Sequence, residues 1–147
     1  MLENISGKWA GYYKYGAGYP LSMQGIAKDF EMELTDEDGL IKGICRDDIT
    51  NELTISPAEI EGTFENGLFY FIKTYTCAIV FDEYGESVAL PDKPSHAVHY
   101  KANIRKRLFS KAYFFKGSWE ISGSYLDANK VPFHYSISGT WKMKKIK

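Results

Sequence analysis

What most constrains this chain is an alternation with a period of two that recurs from one end to the other and begins, at the first strand, on a Gly-x-Trp triplet. Gly7-Lys8-Trp9 opens a run in which Trp9, Gly11, Tyr13 and Tyr15 share one face and Lys8, Ala10, Tyr12 and Lys14 the other. Gly117-Ser118-Trp119 and Gly139-Thr140-Trp141 repeat the triplet, and the last run sets Phe133, Tyr135, Ile137, Gly139, Trp141 and Met143 against His134, Ser136, Ser138, Thr140, Lys142 and Lys144. Successive side chains of a strand point to opposite faces, so such runs are strands with one apolar side.

The same pattern fills most of the interval between these runs. Phe30, Met32 and Leu34 oppose Asp29, Glu31 and Glu33, and Asp36-Glu37-Asp38-Gly39 turns the chain into Leu40–Arg46. Ile60, Gly62 and Phe64 oppose Glu59, Glu61 and Glu65, and the following Asn66-Gly67 is the strongest hairpin signal, because a type I′ turn needs positive φ at both central positions. The return strand from Leu68 is apolar on both faces, with Phe69, Phe71, Lys73 and Tyr75 on one and Leu68, Tyr70 and Ile72 on the other; a loop, the stretch 87–95 or a second copy of the chain is expected to cover its outside. This strand is read as continuing through Thr76–Phe81, with an irregular segment held by Pro91 and Pro94 after it. Residues 96–109 alternate again, although Ile104, Leu108, Ala112 and Phe115 also fit helical spacing, which leaves 103–112 open between strand and short helix. The sequence therefore predicts one all-β domain over residues 1–147, an antiparallel up-and-down β-barrel of about eight strands closed by pairing the last strand with the first. Gly11, Gly62, Gly123 and Gly139 on the inner faces would let strands coil and aromatic rings interleave.

Composition agrees: aromatic residues make up 16 % of the chain, a balance that favours strands. The net charge is −1, but residues 1–74 hold thirteen acids and six bases and residues 75–147 six acids and twelve bases. Opposed charge on two sides of one barrel, with no strong overall basicity, argues against nucleic acid as a partner. No apolar run is long enough for a membrane span, and Met1-Leu2-Glu3-Asn4 lacks the basic head and apolar core of a signal peptide, so a cytoplasmic location is expected.

With Gly7-Lys8-Trp9 opening the first strand of an all-β meander, the chain resembles the calycin superfamily of lipocalins, fatty-acid-binding proteins and avidins, and within it the small lipocalin-like bacterial proteins of uncharacterised function. The Thr-Asp-Tyr type of second lipocalin motif and the arginine-tyrosine ending of fatty-acid-binding proteins are not found. The resemblance implies that Trp9 closes the barrel floor beneath a basic residue of the last strand, for which Lys142, Lys144 and Lys145 are the candidates, and that the interior binds a small apolar or amphipathic molecule.

The candidate pocket residues are Trp9, Tyr13, Phe30, Met32, Phe71, Lys73, Tyr75, Trp119, Tyr135 and Trp141, all on inner faces. Asp47 shares the inward parity of Ile41, Gly43 and Cys45, so Lys73, Asp47 and Tyr75 are expected to cluster inside the barrel, as a structural ion pair or as a group that orients a ligand or moves a proton. Loop residues Tyr19, Leu21 and Met23 are expected either to lid the barrel or to plug its end. Cys45 and Cys77 fall two strands apart, about 10 Å, too far for a disulfide, so two free buried thiols are expected. His96 and His99 fall on opposite faces, which speaks against a metal site, and no cofactor motif is present. No Ser-His-Asp order, phosphate loop or paired-carboxylate signature occurs. Three readings follow: a ligand-binding barrel, a scaffold barrel with a solid core that associates through the outer face of 68–75, and a lyase or isomerase using interior Tyr and Lys.

Overall fold

The alternating runs do become the staves of a closed barrel. The computed structural model describes residues 4–81, 84, 86–109, 112–126, 129 and 132–146, with side chains for these except at 81, 123–126 and 132–135. Among the described residues ten strands and one short helix follow in chain order: β1 (Gly7–Tyr15), β2 (Ala27–Glu37), β3 (Leu40–Asp47), α1 (Asp48–Glu52), β4 (Ala58–Glu65), β5 (Leu68–Thr74), β6 (Ala78–Phe81), β7 (Ser87–Leu90), β8 (Ala97–Lys106), β9 (Tyr113–Leu126) and β10 (Pro132–Lys145). Eight of the strands close in the order β1-β10-β9-β8-β5-β4-β3-β2, every neighbour antiparallel, while β6 and β7 pair only with each other.

The seam is the expected pairing of first and last strands, with Trp9 opposite Lys145, Tyr13 opposite Trp141 and Tyr15 opposite Gly139. Gly139 is required there, because a Cβ would overlap both the Lys14 carbonyl oxygen and the Trp119 ring. The Asn66-Gly67 hairpin has positive φ at both positions, 52° and 79°, as the sequence predicts.

The two ends of the barrel differ. At one end short turns join β2 to β3 and β4 to β5, and the interior is solid: Trp9, Phe69, Phe115 and Trp141 are buried with Trp9 and Phe115 ring centroids 5.2 Å apart and Phe69 and Phe115 5.4 Å apart. Here Ile5 folds under the first strand, its carbonyl accepting the Trp9 indole N–H at 2.9 Å while its own N–H donates to Asp36 Oδ2, also at 2.9 Å. The cover over Trp9 is thus Ile5, not a C-terminal lysine: Lys144 and Lys145 are exposed, and Lys142 extends over the outward Phe114 ring, its Nζ 5.0 Å from the centroid. An apolar residue, its backbone held by the buried Asp36 carboxylate, takes the place over the indole that the resemblance assigns to a basic side chain.

The other end is built from connections: the 16–26 loop, α1, and the segment between β5 and β8 that carries the β6–β7 hairpin. One reading is corrected here and one element is added. The strand that begins at Leu68 stops at Thr74 and does not run on through Phe81, because Thr74 pairs with Ala97, where β8 begins, and no ladder remains beyond it; the chain leaves the wall and makes its own hairpin. Residues 48–52 form a helix that apolar periodicity missed, five residues being too few to show a period. The open choice at 103–112 resolves as strand through Lys106, in register with β9. Leu68 and Tyr70, on the outer face of β5, keep more than a third of their surface exposed, so the chain's own loops do not fully cover that face.

Candidate functional site

Toward the connection-built end, the barrel encloses a cavity of about 520 Å³. Its walls come from β1, β5, β8, β9 and β10, and its mouth from the loops. Tyr19 and Met23 of the 16–26 loop line it, whereas Leu21 points outward, 85 % exposed. Ile49 of α1, Ile79 and Val80 of β6, and Ser95 and His96 before β8 complete the rim.

A charged cluster lies against one wall. Asp47 ends β3 on an inward parity and simultaneously caps α1: its Oδ1 accepts the Thr50 N–H at 2.8 Å, and its own N–H donates to Thr50 Oγ1 at 2.9 Å. Its other oxygen, Oδ2, accepts from Lys73 Nζ at 3.1 Å and from the Tyr75 hydroxyl at 2.6 Å. Lys73 and Asp47 are 2 % and 1 % exposed. The Lys73 ammonium also stands over three rings, 4.7 Å from the centroid of Tyr13, 4.8 Å from Tyr75 and 5.4 Å from Tyr100. A cation removed from water is in this way surrounded by one carboxylate and three aromatic π-faces.

The electrostatics follow from burial and this pairing. Burial alone would push the Asp47 carboxyl up, but the Lys73 ammonium and the hydrogen bonds from Tyr75 and Thr50 outweigh it and hold the group below the usual carboxylate range. Burial disfavours the Lys73 ammonium, yet the oxygens of Tyr100 and Asp47 around it hold its pKa above that of an ordinary lysine. Burial pushes the hydroxyls of Tyr15 and Tyr100 up to about 12, and those of Tyr13 and Tyr75 well above the usual phenol value. At neutral pH the cluster is therefore an ammonium, a carboxylate and neutral phenols. The Tyr75 O–H and one Lys73 N–H are donated to Asp47, and the set offers neither a free amine for imine formation nor a phenolate base.

Of the residues singled out from the sequence, Tyr13, Lys73, Tyr75 and Trp119 line the cavity, and Lys73, Tyr75 and Asp47 meet as expected. Trp9, Phe30, Met32, Phe71 and Trp141 also face inward but belong to the packed core and not to the cavity wall; Phe71 stacks on Tyr100 at 4.6 Å and Trp141 lies 5.5 Å from both rings. The side chain of Tyr135 lies outside the described residues, although its backbone pairs with Gly123 in the β9–β10 ladder. Tyr15, whose hydroxyl the sequence offers beside that of Tyr13 as an addition to the interior cluster, also lines the cavity, whereas Val98 and Tyr100 were not assigned to the pocket although inward parity was available for both.

Cys45 and Cys77 are free and buried. Among the described residues no group of three or more His, Cys, Asp or Glu side chains is placed to hold a metal ion, and no helix is long and apolar enough to cross a membrane. His99 instead meets the Tyr70 hydroxyl on the outer face, its Nδ1 2.6 Å away. The class that the fold and the site define is a closed eight-stranded antiparallel barrel with one sealed end and one hollow end. Comparison of the chain with protein families, with curated proteins and with solved structures finds no match.

Proposed function

We propose that this protein binds a small, largely apolar molecule carrying a polar group, taken up through the loop-built mouth of a calycin-like barrel. The observation that carries this reading is the cavity of about 520 Å³, within the size range of small-molecule sites, with aromatic and aliphatic walls and a few convergent polar groups at Lys73, Tyr13 and Tyr75. The closed antiparallel meander is compatible with the calycin architecture, and the sealed lower half gives such a pocket a rigid base.

Titration with the neutral fluorophore N-phenyl-1-naphthylamine tests the reading. Saturable enhancement of its fluorescence is expected with the native protein, and Val98→Phe, which thrusts a ring into the cavity, should weaken it by about tenfold or more. Absence of saturable binding, or binding undiminished in a folded Val98→Phe variant, would overturn it.

A second reading has one observation in its favour. Leu68 and Tyr70 leave an apolar strip exposed on β5, as a scaffold that associates through this face would need. Light scattering decides it: a monomer at all concentrations removes the argument.

A further inference from the structure

Inside the cavity the charge is already balanced, while a hydrogen-bond donor is left over. Lys73 is the one Lys, Arg, Asp or Glu side chain among the described lining residues, and its counter-ion Asp47 sits behind it at 3.1 Å. Both Asp47 oxygens are engaged, Oδ1 by Thr50 and Oδ2 by Lys73 and Tyr75. A guest carboxylate would therefore be a second anion facing a single cation, leaving a net negative charge in a water-poor site. A neutral acceptor oxygen adds no charge, and a lysine ammonium has three N–H donors, of which Asp47 takes one and the Tyr100 hydroxyl oxygen engages a second, leaving one.

Tyr13 supplies the second part of the argument. The residue is 3 % exposed and lines the cavity, and its hydroxyl finds no partner of good hydrogen-bond geometry among the described residues, its side-chain neighbour being the equally buried Tyr15 hydroxyl. A buried hydroxyl left without a partner is costly, and a guest oxygen can complete it. The Tyr13 ring also lies 4.7 Å beneath Lys73 Nζ, so both donors belong to the same corner.

The walls supply the third. Tyr13 and Tyr19 set their rings 6.2 Å and 6.0 Å from Trp119, both close to edge-on, which leaves aromatic faces and edges for a flat guest to pack against.

From these three observations, and resting on the binding reading above, we infer that the guest is an uncharged molecule with a flat apolar body and a carbonyl-type oxygen, docked with that oxygen at Tyr13 Oη and Lys73 Nζ. The interior ion pair then acts as a charge filter: it presents a cation's remaining donor without a cation's net charge.

Three probes of nearly equal shape test this by displacing N-phenyl-1-naphthylamine near neutral pH: 2-acetylnaphthalene, 2-naphthoate and 2-ethylnaphthalene. The acetyl compound should bind about tenfold tighter than either of the others, the ethyl compound lacking the acceptor and the naphthoate carrying the unwanted charge. Tyr13→Phe should weaken the acetyl compound about fivefold and leave the ethyl compound within about twofold. Asp47→Asn should invert the order, because naphthoate then supplies the missing counter-ion to Lys73. Naphthoate matching the acetyl compound in the native protein, ethylnaphthalene matching it, or a Tyr13→Phe variant with an unchanged acetyl-to-ethyl ratio would each overturn the inference. If Asp47→Asn does not fold, the native protein and Tyr13→Phe still decide. Failure of all three probes to displace a bound fluorophore overturns this inference alone, whereas failure of the fluorophore itself to bind removes the binding reading and the inference with it.

Discussion

The ammonium of Lys73 on β5 and the carboxylate of Asp47 at the end of β3 meet at 3.1 Å across the intervening strand β4, inside the barrel and away from water. Because Asp47 also caps α1 through Thr50, one carboxylate fixes the barrel wall, the helix at its mouth and the cation in its cavity.

Removing one partner should expose the cost of burying the other. Lys73→Met leaves Asp47 without its cation and is expected to destabilise the fold by about 3–5 kcal/mol, whereas Lys73→Met with Asp47→Asn should recover part of that loss. Urea unfolding of the native protein, the two single variants and the double variant gives the coupling. A single variant as stable as the native protein would mean that the pair contributes nothing.

The pair also sets a pH window. The folded Asp47 carboxyl titrates below its unfolded value of about 3.9, so its stabilisation is present above that pH and disappears as pH falls through the lower folded value. Lys73 titrates above its unfolded value of about 10.4, so its contribution is complete below that pH and is lost as pH rises through the folded value. Urea midpoints measured from acid to neutral pH should fall more steeply on the acid side for the native protein than for Asp47→Asn. Parallel curves would contradict the assignment.

At the seam, Gly139→Ala forces a methyl group against the Lys14 carbonyl and the Trp119 ring. The expected loss is about 1–3 kcal/mol, as for an overpacked core, and near-ultraviolet circular dichroism should show the change around Trp119. An unaltered midpoint and spectrum would show that the seam relaxes freely.

Burial pushes the Cys45 thiol up to about 12, and Cys77 is buried as well. Since the thiolate is the reacting species, 5,5′-dithiobis(2-nitrobenzoate) should leave both thiols unmodified in the folded protein and react with both at once in urea. Rapid reaction of Cys45 under native conditions would show that the region around it opens.

Much of this architecture is legible in the chain because period-two parity is a local property. Parity alone put Tyr13, Lys73 and Asp47 on inner faces, and the two carboxylate contacts of Lys73 and Tyr75 followed from the strand order. Parity does not say which inward aromatics are packed and which stand at a void. Trp9 and Trp119 look alike in sequence, yet Ile5 and the Asp36 carboxylate seal the first, while Tyr19 and the loops stand over the second. Nor does parity say which sheet a strand joins, so Ala78–Phe81 read as wall although it pairs only with Ser87–Leu90. The helix at 48–52 had one local sign, an Asp47-x-x-Thr50 capping pair, in a stretch too short for periodicity.

The pairing of Trp9 with Lys145 has a kinetic side. The two strands that close the barrel are the most distant in the chain, so the final ladder must join residues far apart in sequence, and the entropy of closing that long loop falls due before its contacts reward it. Refolding on the millisecond-to-second scale typical of barrels with many non-local pairings is the consequence, and during synthesis β1 must wait for β10 with one edge unpaired.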